Sequence, residues 1–180
     1  MDIETTGASA NGARVLEVGA IRVENGREVA RMSQLVHPNE PVPPFITRLT
    51  GIDDHMVSHS PRFSGIIDEL EKLLDGAVFV AHNVNFDYSF IKMEYQRLGR
   101  LFNYDKLCTV RLSRALYPAQ IRHNLDTVIN AHGFQVADRH RALDDAQVLH
   151  QFYQKACLEH GEQAVTTLKR LITPALRGIA

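Results

Sequence analysis

Asp2 and Glu4 are separated by one isoleucine in the run Asp2-Ile3-Glu4-Thr5-Thr6-Gly7. In an extended strand, residues two apart leave the same face, about 6.5 Å apart along the chain. Two acids gathered at the end of an apolar strand are costly unless something positive neutralises them. A divalent cation fits that role, because Mg²⁺ takes oxygen ligands and is often held by one or two carboxylates together with substrate phosphates. Taken alone, the pair is more simply read as solvated acids at a strand-to-loop corner. Asp87 adds weight to the metal reading. It follows the short apolar run Ala77 to Ala81 and falls just inside a helix start, where open α/β sheets place their ligands. Its plainer reading is a first-turn acid favoured by the helix dipole. Asn83 and Asn85 suit capping roles, Asn85 in particular.

A third cluster is Arg139-His140-Arg141-Ala142-Leu143-Asp144-Asp145-Ala146. On one continuous helix, His140 and Asp145 would point about 140° apart at 3.6 residues per turn. They can serve one site only if Asp145 is on the helix and His140 is on the loop before it. For one histidine among nine, packing is the simpler role; beside four carboxylates it reads differently. Arg122, His123, Arg139 and Arg141 form either a modest rim for a phosphate backbone or a solvated face.

The elements that must position these residues follow from periodicity and turn signals. Leu16 to Asn25 alternates apolar and polar and ends at Asn25-Gly26, a hairpin signal that makes Arg27 to His37 the antiparallel partner. Pro38 to Pro44 carries four prolines and reads as loop. A helix is expected between Ser60 as N-cap and Gly76, with Phe63, Ile66, Ile67, Leu70, Leu73 and Leu74 as its core stripe. Ala77 to Ala81 suits a strand covered on both faces. Further helices are expected over Phe86 to Leu98, up to Tyr117, over Asn124 to His132 and from about Arg141 to Glu159, with a strand near Leu107 to Val110. Residues Gly161 to Ala180 have room for an amphipathic helix through Ala164, Leu168 and Leu171. An early hairpin followed by alternating helices and strands is an α/β mixed sheet.

Asp2-Ile-Glu4-Thr5-Thr6-Gly7, His82-Asn83-x-x-Phe86-Asp87 and His140-x-x-x-x-Asp145, in that order, resemble the three exonuclease motifs of the DEDDh (DnaQ-like) 3′-5′ exonuclease family. Leu49-Thr-Gly-Ile52 and His123-Asn-Leu-Asp126 lie between them, and the likeness runs from Met1 to about Glu159. Three ordered motifs are far more specific than any one. Within the family the chain looks most like the epsilon proofreading subunit of bacterial DNA polymerase III or a relative. Oligoribonuclease is a poorer match, because Thr5 stands where it has methionine.

The resemblance implies an RNase H-like fold, a mixed five-stranded sheet flanked by helices. An exonuclease domain over residues 1–160 and a C-terminal helical tail or linker over 161–180 are expected. The implied reaction is 3′-to-5′ hydrolysis of nucleic acid, DNA favoured, to nucleoside 5′-monophosphates. Asp2, Glu4, Asp87 and Asp145 would hold two Mg²⁺ or Mn²⁺ ions, and His140 would be the general base. The family spacing selects Asp145 over Asp144. By the same likeness the Thr5 backbone and the side chains of Leu49, Asn83 and Phe86 would grip the terminal nucleotide. Expected partners are single-stranded or frayed 3′ ends of DNA or RNA and a DNA polymerase subunit.

Three other functions compete: an RNA 3′-end-trimming member of the same family, a non-catalytic 3′-end-binding module, and an aspartyl-phosphate phosphatase. The last expects Asp where Glu4 stands and leaves His140 without a task; the complete set of five residues weighs against a dead enzyme. Composition narrows the field further. The 180 residues contain 20 Lys+Arg against 21 Asp+Glu, for a net charge of -1, so broad coating of duplex nucleic acid by clustered cations is disfavoured. No apolar run approaches the roughly 18 residues of a membrane span, and no signal peptide opens the chain. The two widely spaced cysteines read as reduced thiols of a cytoplasmic protein. Met1-Asp2 leaves almost no strand before the first acid, which predicts a natural chain continuing upstream or a domain of something longer.

Overall fold

A computed structural model describes residues 1–176. Its strands are β1 (Asp2–Thr5), β2 (Val15–Glu24), β3 (Arg27–Leu35), β4 (Phe79–Ala81) and β5 (Lys106–Cys108). Its helices are α1 (Pro44–Thr50), α2 (Asp54–Val57), α3 (Phe63–Leu74), α4 (Asn85–Arg97), α5 (Thr109–Leu116), α6 (Leu125–His132) and α7 (Ala142–Leu171). The five strands form two ladders, an antiparallel β1-β2-β3 sheet and a parallel β4-β5 pair. They meet at Met1, whose amino terminus donates to Val80 O at 2.9 Å. Beyond Met1 a largely apolar cavity of about 760 Å³ lies between Ala20–Glu24 of β2 and Val78–Val80. It is larger than the cleft that holds the acids, and chemically distinct from it.

The hairpin turns at Asn25 and Gly26, both with positive φ (51° and 77°), as the Asn-Gly pair requires. One face of the sheet packs Ile3, Val18, Ala20 and Phe79 against Phe63, Ile67 and Leu70 of α3 and Phe90, Ile91 and Tyr95 of α4. On the other side, Leu107, Leu112, Leu116 and Val128 meet Phe152, Ala156, Ala164 and Leu171 of α7. Because β1 alternates, Ile3 faces α3 and α4, and Asp2 and Glu4 emerge on the α7 side.

Several boundaries differ from the sequence expectation. The prolines do not leave a plain loop: Pro44 is the first residue of α1, where a missing N–H costs nothing. α3 begins at Phe63 with Arg62 as N-cap, and Ser60 Oγ instead donates to Met56 O at 3.4 Å, closing the preceding turn. Asn85 is the first residue of α4, not its cap, and its Oδ1 accepts from Lys106 Nζ at 2.9 Å. Asn124 does cap α6, accepting from Thr127 N at 2.8 Å.

α7 runs past Glu159 to Leu171 and bends at Gly161 (φ 49°). Its second half buries Ala164 and Leu171, after which Thr173 bridges to Lys106 at the edge of β5. Residues 177–180 of the expected tail lie outside the described residues.

Candidate active site

β1, α4 and α7 deliver their acids to one cleft of about 270 Å³, lined by Asp2, Glu4, His82, Asn83, Phe86, Asp87, Leu125, Arg139, His140 and Asp145. Glu4 and Asp145 lie close enough to His140 for one ligand atom of each to fall within 4.8 Å of the others. Asp87 occupies the first turn of α4, directly after the turn at Asn83 (φ 62°). Asp145 is in the first turn of α7, while His140 stands on the preceding loop with φ 64°. That left-handed conformation is uncommon outside glycine, although His is among the residues enriched there. It removes the 140° mismatch a continuous helix would impose. Asp144 turns away from the cleft, and its Oδ2 accepts from Asp138 N at 3.0 Å.

Burial is the main force on the acids. It raises Asp2 well above the ordinary carboxylate range, and Asp87, Asp145 and Glu4 add to the effect by repulsion. Desolvation lifts Glu4 to about 8, with Asp145 and Glu17 pushing the same way. Asp87 rises to about 7 through burial, against the pull of the amino terminus and of backbone hydrogen bonds. Asp145 rises to about 6, again through burial, opposed by Arg139. Its Oδ1 is buried with no hydrogen-bond partner among the described residues. Oxygen donors, mutual repulsion and an orphaned carboxylate oxygen match the demands of hard divalent cations, so the residues fit such a group.

Arg139, Arg141 and His123 of the expected rim are already engaged, while Arg122 is exposed. Arg139 Nε donates to Asp126 Oδ1 at 2.7 Å and its other arm pairs with Asp145. Arg141 pairs with buried Glu17 at 2.8 Å. His123 Nδ1 bonds Ser113 Oγ at 2.8 Å, and its carbonyl accepts from His82 Nε2 at 2.9 Å. His82 Nδ1 lies 2.9 Å from Thr109 Oγ1, and burial lowers its pKa to about 4. A neutral His82 therefore pins the loop ahead of α6 against the cleft.

Of the residues expected to hold a nucleotide, Asn83 and Phe86 line the cleft. Phe86 is half-buried against Phe90, with ring centroids 4.9 Å apart. Thr5 is buried at the end of β1, its hydroxyl donating to Gly7 O at 2.8 Å. Leu49 lies on α1, 53% exposed and outside the cleft wall.

Sequence reasoning overlooked Glu17, Gly19 and Glu94. The polar positions of the β2 alternation do not meet water: Val15 through Ala20 are all buried, since α7 covers that side. Glu94, 1% exposed, binds Arg14 and Arg97 and ties the β1-β2 loop to α4. An acid within a buried helical stripe was the available signal.

Comparison with known proteins identifies the family and the fold. The sequence model of the RNase_T exonuclease family matches residues 1–153. A PolC-type DNA polymerase III of Caldanaerobacter subterraneus is 38% identical over 86% of this chain, and the match covers 11% of that protein. The 3′-5′ exonuclease DinG of Bacillus subtilis is 35% identical over 95% of this chain and 19% of its own length. This chain thus spans a fifth or less of those two relatives. It spans 83% of the DNA polymerase III subunit epsilon of Treponema pallidum, with 30% identity over 98% of this chain.

Among solved structures, exonuclease X in complex with 5′ overhanging duplex DNA superposes with a TM-score of 0.70 and 25% identity, covering 93% of this chain and 96% of that one. The nuclease domain of 3′hExo, a DEDDh family member bound to rAMP, has the same fold, with a TM-score of 0.75 at 18% identity over 97% of this chain and 94% of that one. Among the described residues, no helix is long and apolar enough to cross a membrane. With its RNase H-like fold and a family match across most of its length, the chain belongs to the DEDDh 3′-5′ exonucleases, enzymes that act on nucleic acid and use divalent metal ions.

Proposed function

We propose that this chain shortens DNA from its 3′ end, releasing nucleoside 5′-monophosphates, and that it does so in the cytoplasm beside a DNA polymerase. The observation that carries this reading is the convergence of Asp2, Glu4, Asp87, Asp145 and His140, from three separate stretches of chain, on one cleft. DNA is favoured over RNA because relatives 30% to 38% identical are named as DNA polymerase III proteins.

Asp2, Glu4, Asp87 and Asp145 would hold two Mg²⁺ or Mn²⁺ ions. When bound, such ions neutralise the phosphate and stabilise the attacking and leaving oxygens of an in-line displacement. The remaining work falls to the protein. Burial, helped by Arg139, lowers the pKa of His140 below its ordinary 6.5. The imidazole is therefore neutral at pH 7 and can take a proton from the attacking water. Phe86 and Leu125 form the apolar wall against which the terminal nucleoside rests, and Asn83 bonds its polar edge. A net charge of -1 is compatible with binding a polyanion because the cations that matter are not part of the composition.

The decisive assay follows end-labelled, matched DNA and RNA strands and a mismatched duplex with Mg²⁺, Mn²⁺ or EDTA. Stepwise shortening from the 3′ end with either metal, faster on DNA and absent in EDTA, is expected. No shortening of any substrate with metal present would overturn the reading, and equal or faster RNA digestion would remove the DNA preference. His140→Ala should lower kcat by about 10² to 10⁴, the usual worth of a general base. With saturating metal, the wild-type rate should rise with pH through an inflection below about 6.5, and the variant should lose that limb. An unaltered rate and profile would exclude His140 as the base.

A further inference from the structure

We infer that Glu17 and Gly19 of β2 are positioning residues for this exonuclease, setting the N-terminus of α7, and with it His140 and Asp145, over the acids of β1. The inference rests on the roles proposed above for those residues. Its basis is the strand register: Asp2 pairs with Gly19 and Glu4 with Glu17. Directly opposed residues of an antiparallel pair project from the same face. The two β2 positions therefore sit beside the two acids, beneath α7.

Both positions are committed to that helix. Glu17 is 1% exposed. Its Oε1 accepts from Arg141 Nη2 at 2.8 Å and its Oε2 from the backbone N of Ala142 at 3.0 Å, with Arg141 Nε at 3.1 Å from Oε2. One carboxylate thus holds the N-cap side chain and the first helical N–H, which has no partner within the helix. Gly19 acts by what it lacks. A Cβ there would fall 2.0 Å from the Ala142 carbonyl carbon and 2.1 Å from Leu143 N. Both are backbone atoms, so the helix could not remain where it is. The two contacts fix the stretch between His140 and Asp145, and a misplacement of about 1 Å at a reacting centre can cost 10²-fold in rate.

The test uses Glu17→Gln, Arg141→Leu, the double variant and Gly19→Ala, with Mn²⁺ binding measured by titration calorimetry without substrate, alongside kcat, KM and Tm. Glu17→Gln should lower kcat and weaken Mn²⁺ binding by about 10 to 100-fold, the usual effect of losing a group that orients a ligand, with KM for a DNA 3′ end unchanged. The double variant separates positioning from bulk stability. Removing both charges relieves the buried Glu17 carboxylate that Arg141→Leu alone leaves without its arginine, so the Tm of the double variant should recover from that of Arg141→Leu toward wild type while kcat and Mn²⁺ affinity stay low. Gly19→Ala should impair both readouts as well. A double variant, or a folded Gly19→Ala protein, that binds Mn²⁺ and turns over like wild type would overturn the inference. If Asp87→Asn also leaves Mn²⁺ binding intact, the metal reading itself has failed; if Asp87→Asn abolishes it while the β2 variants match wild type, only the positioning role has.

Discussion

Replacing Asp87 and Asp145 together by asparagine should lower kcat by at least about 10³, since metal-ion stabilisation of developing charge is worth several kcal/mol. The same protein should melt no lower than wild type in EDTA at pH 8. The reason is the energetic state of the apo site. Burial already raises both groups, to about 7 for Asp87 and about 6 for Asp145, so at pH 8 the fold carries charges it does not favour. Asparagine keeps the shape and removes the charge. Loss of activity with unchanged or raised Tm would mark acids kept for chemistry at the expense of stability. Retained nuclease activity in this variant would exclude both residues from the site, and a large drop in Tm would show that their charges support the fold.

Metal and pH should act on stability in opposite senses. The folded-state pKa values of Glu4 (about 8), Asp87 (about 7) and Asp145 (about 6) all exceed their ordinary values of 4.5, 3.8 and 3.8. Between pH 4.5 and 8 the native protein therefore binds more protons than the unfolded chain. Linkage then makes unfolding easier as pH rises: the stability of the protonated site is fully present below about pH 4 and lost on climbing through 6 to 8. In EDTA, Tm should fall across that window. Saturating Mg²⁺ or Mn²⁺ should reverse the trend, because the ions bind the deprotonated acids. At a hundred times its dissociation constant, a bound ion adds about 2.7 kcal/mol, or roughly 5 to 10 °C for a chain of this size. The increment should be larger at pH 8 than at pH 5. An EDTA melting curve that is flat or rises with pH would contradict the buried, mutually repelling acids, and an absent metal increment would contradict the ligand set.

The chemistry-bearing side chains were legible because they are short, local signals. A strand acid pair, an acid one turn into a helix and a His on a loop before a helical Asp each follow from periodicity. The hairpin was legible for the same reason, since Asn25-Gly26 encodes its own turn. Boundaries set by non-local contact were not. Nothing near Asn85 reveals that its side chain will accept from Lys106, far along the chain at β5. The rim arginines illustrate the same limit. Arg141 and Glu17 are 124 residues apart in sequence, so their pairing exists only once β2 lies under α7.

By itself the sequence determined which residues could carry the reaction and on which element each sits, because residue type and local period are properties of the chain alone. Only the tertiary structure decided that Glu17 and Gly19 are buried rather than solvated, that Arg139 pairs with Asp126 and Asp145, and that Leu49 stands outside the cleft wall. The physical reason is that burial and charge pairing depend on what covers a surface. Alternation along β2 states which residues share a face, while the docking of α7 determines whether that face meets water.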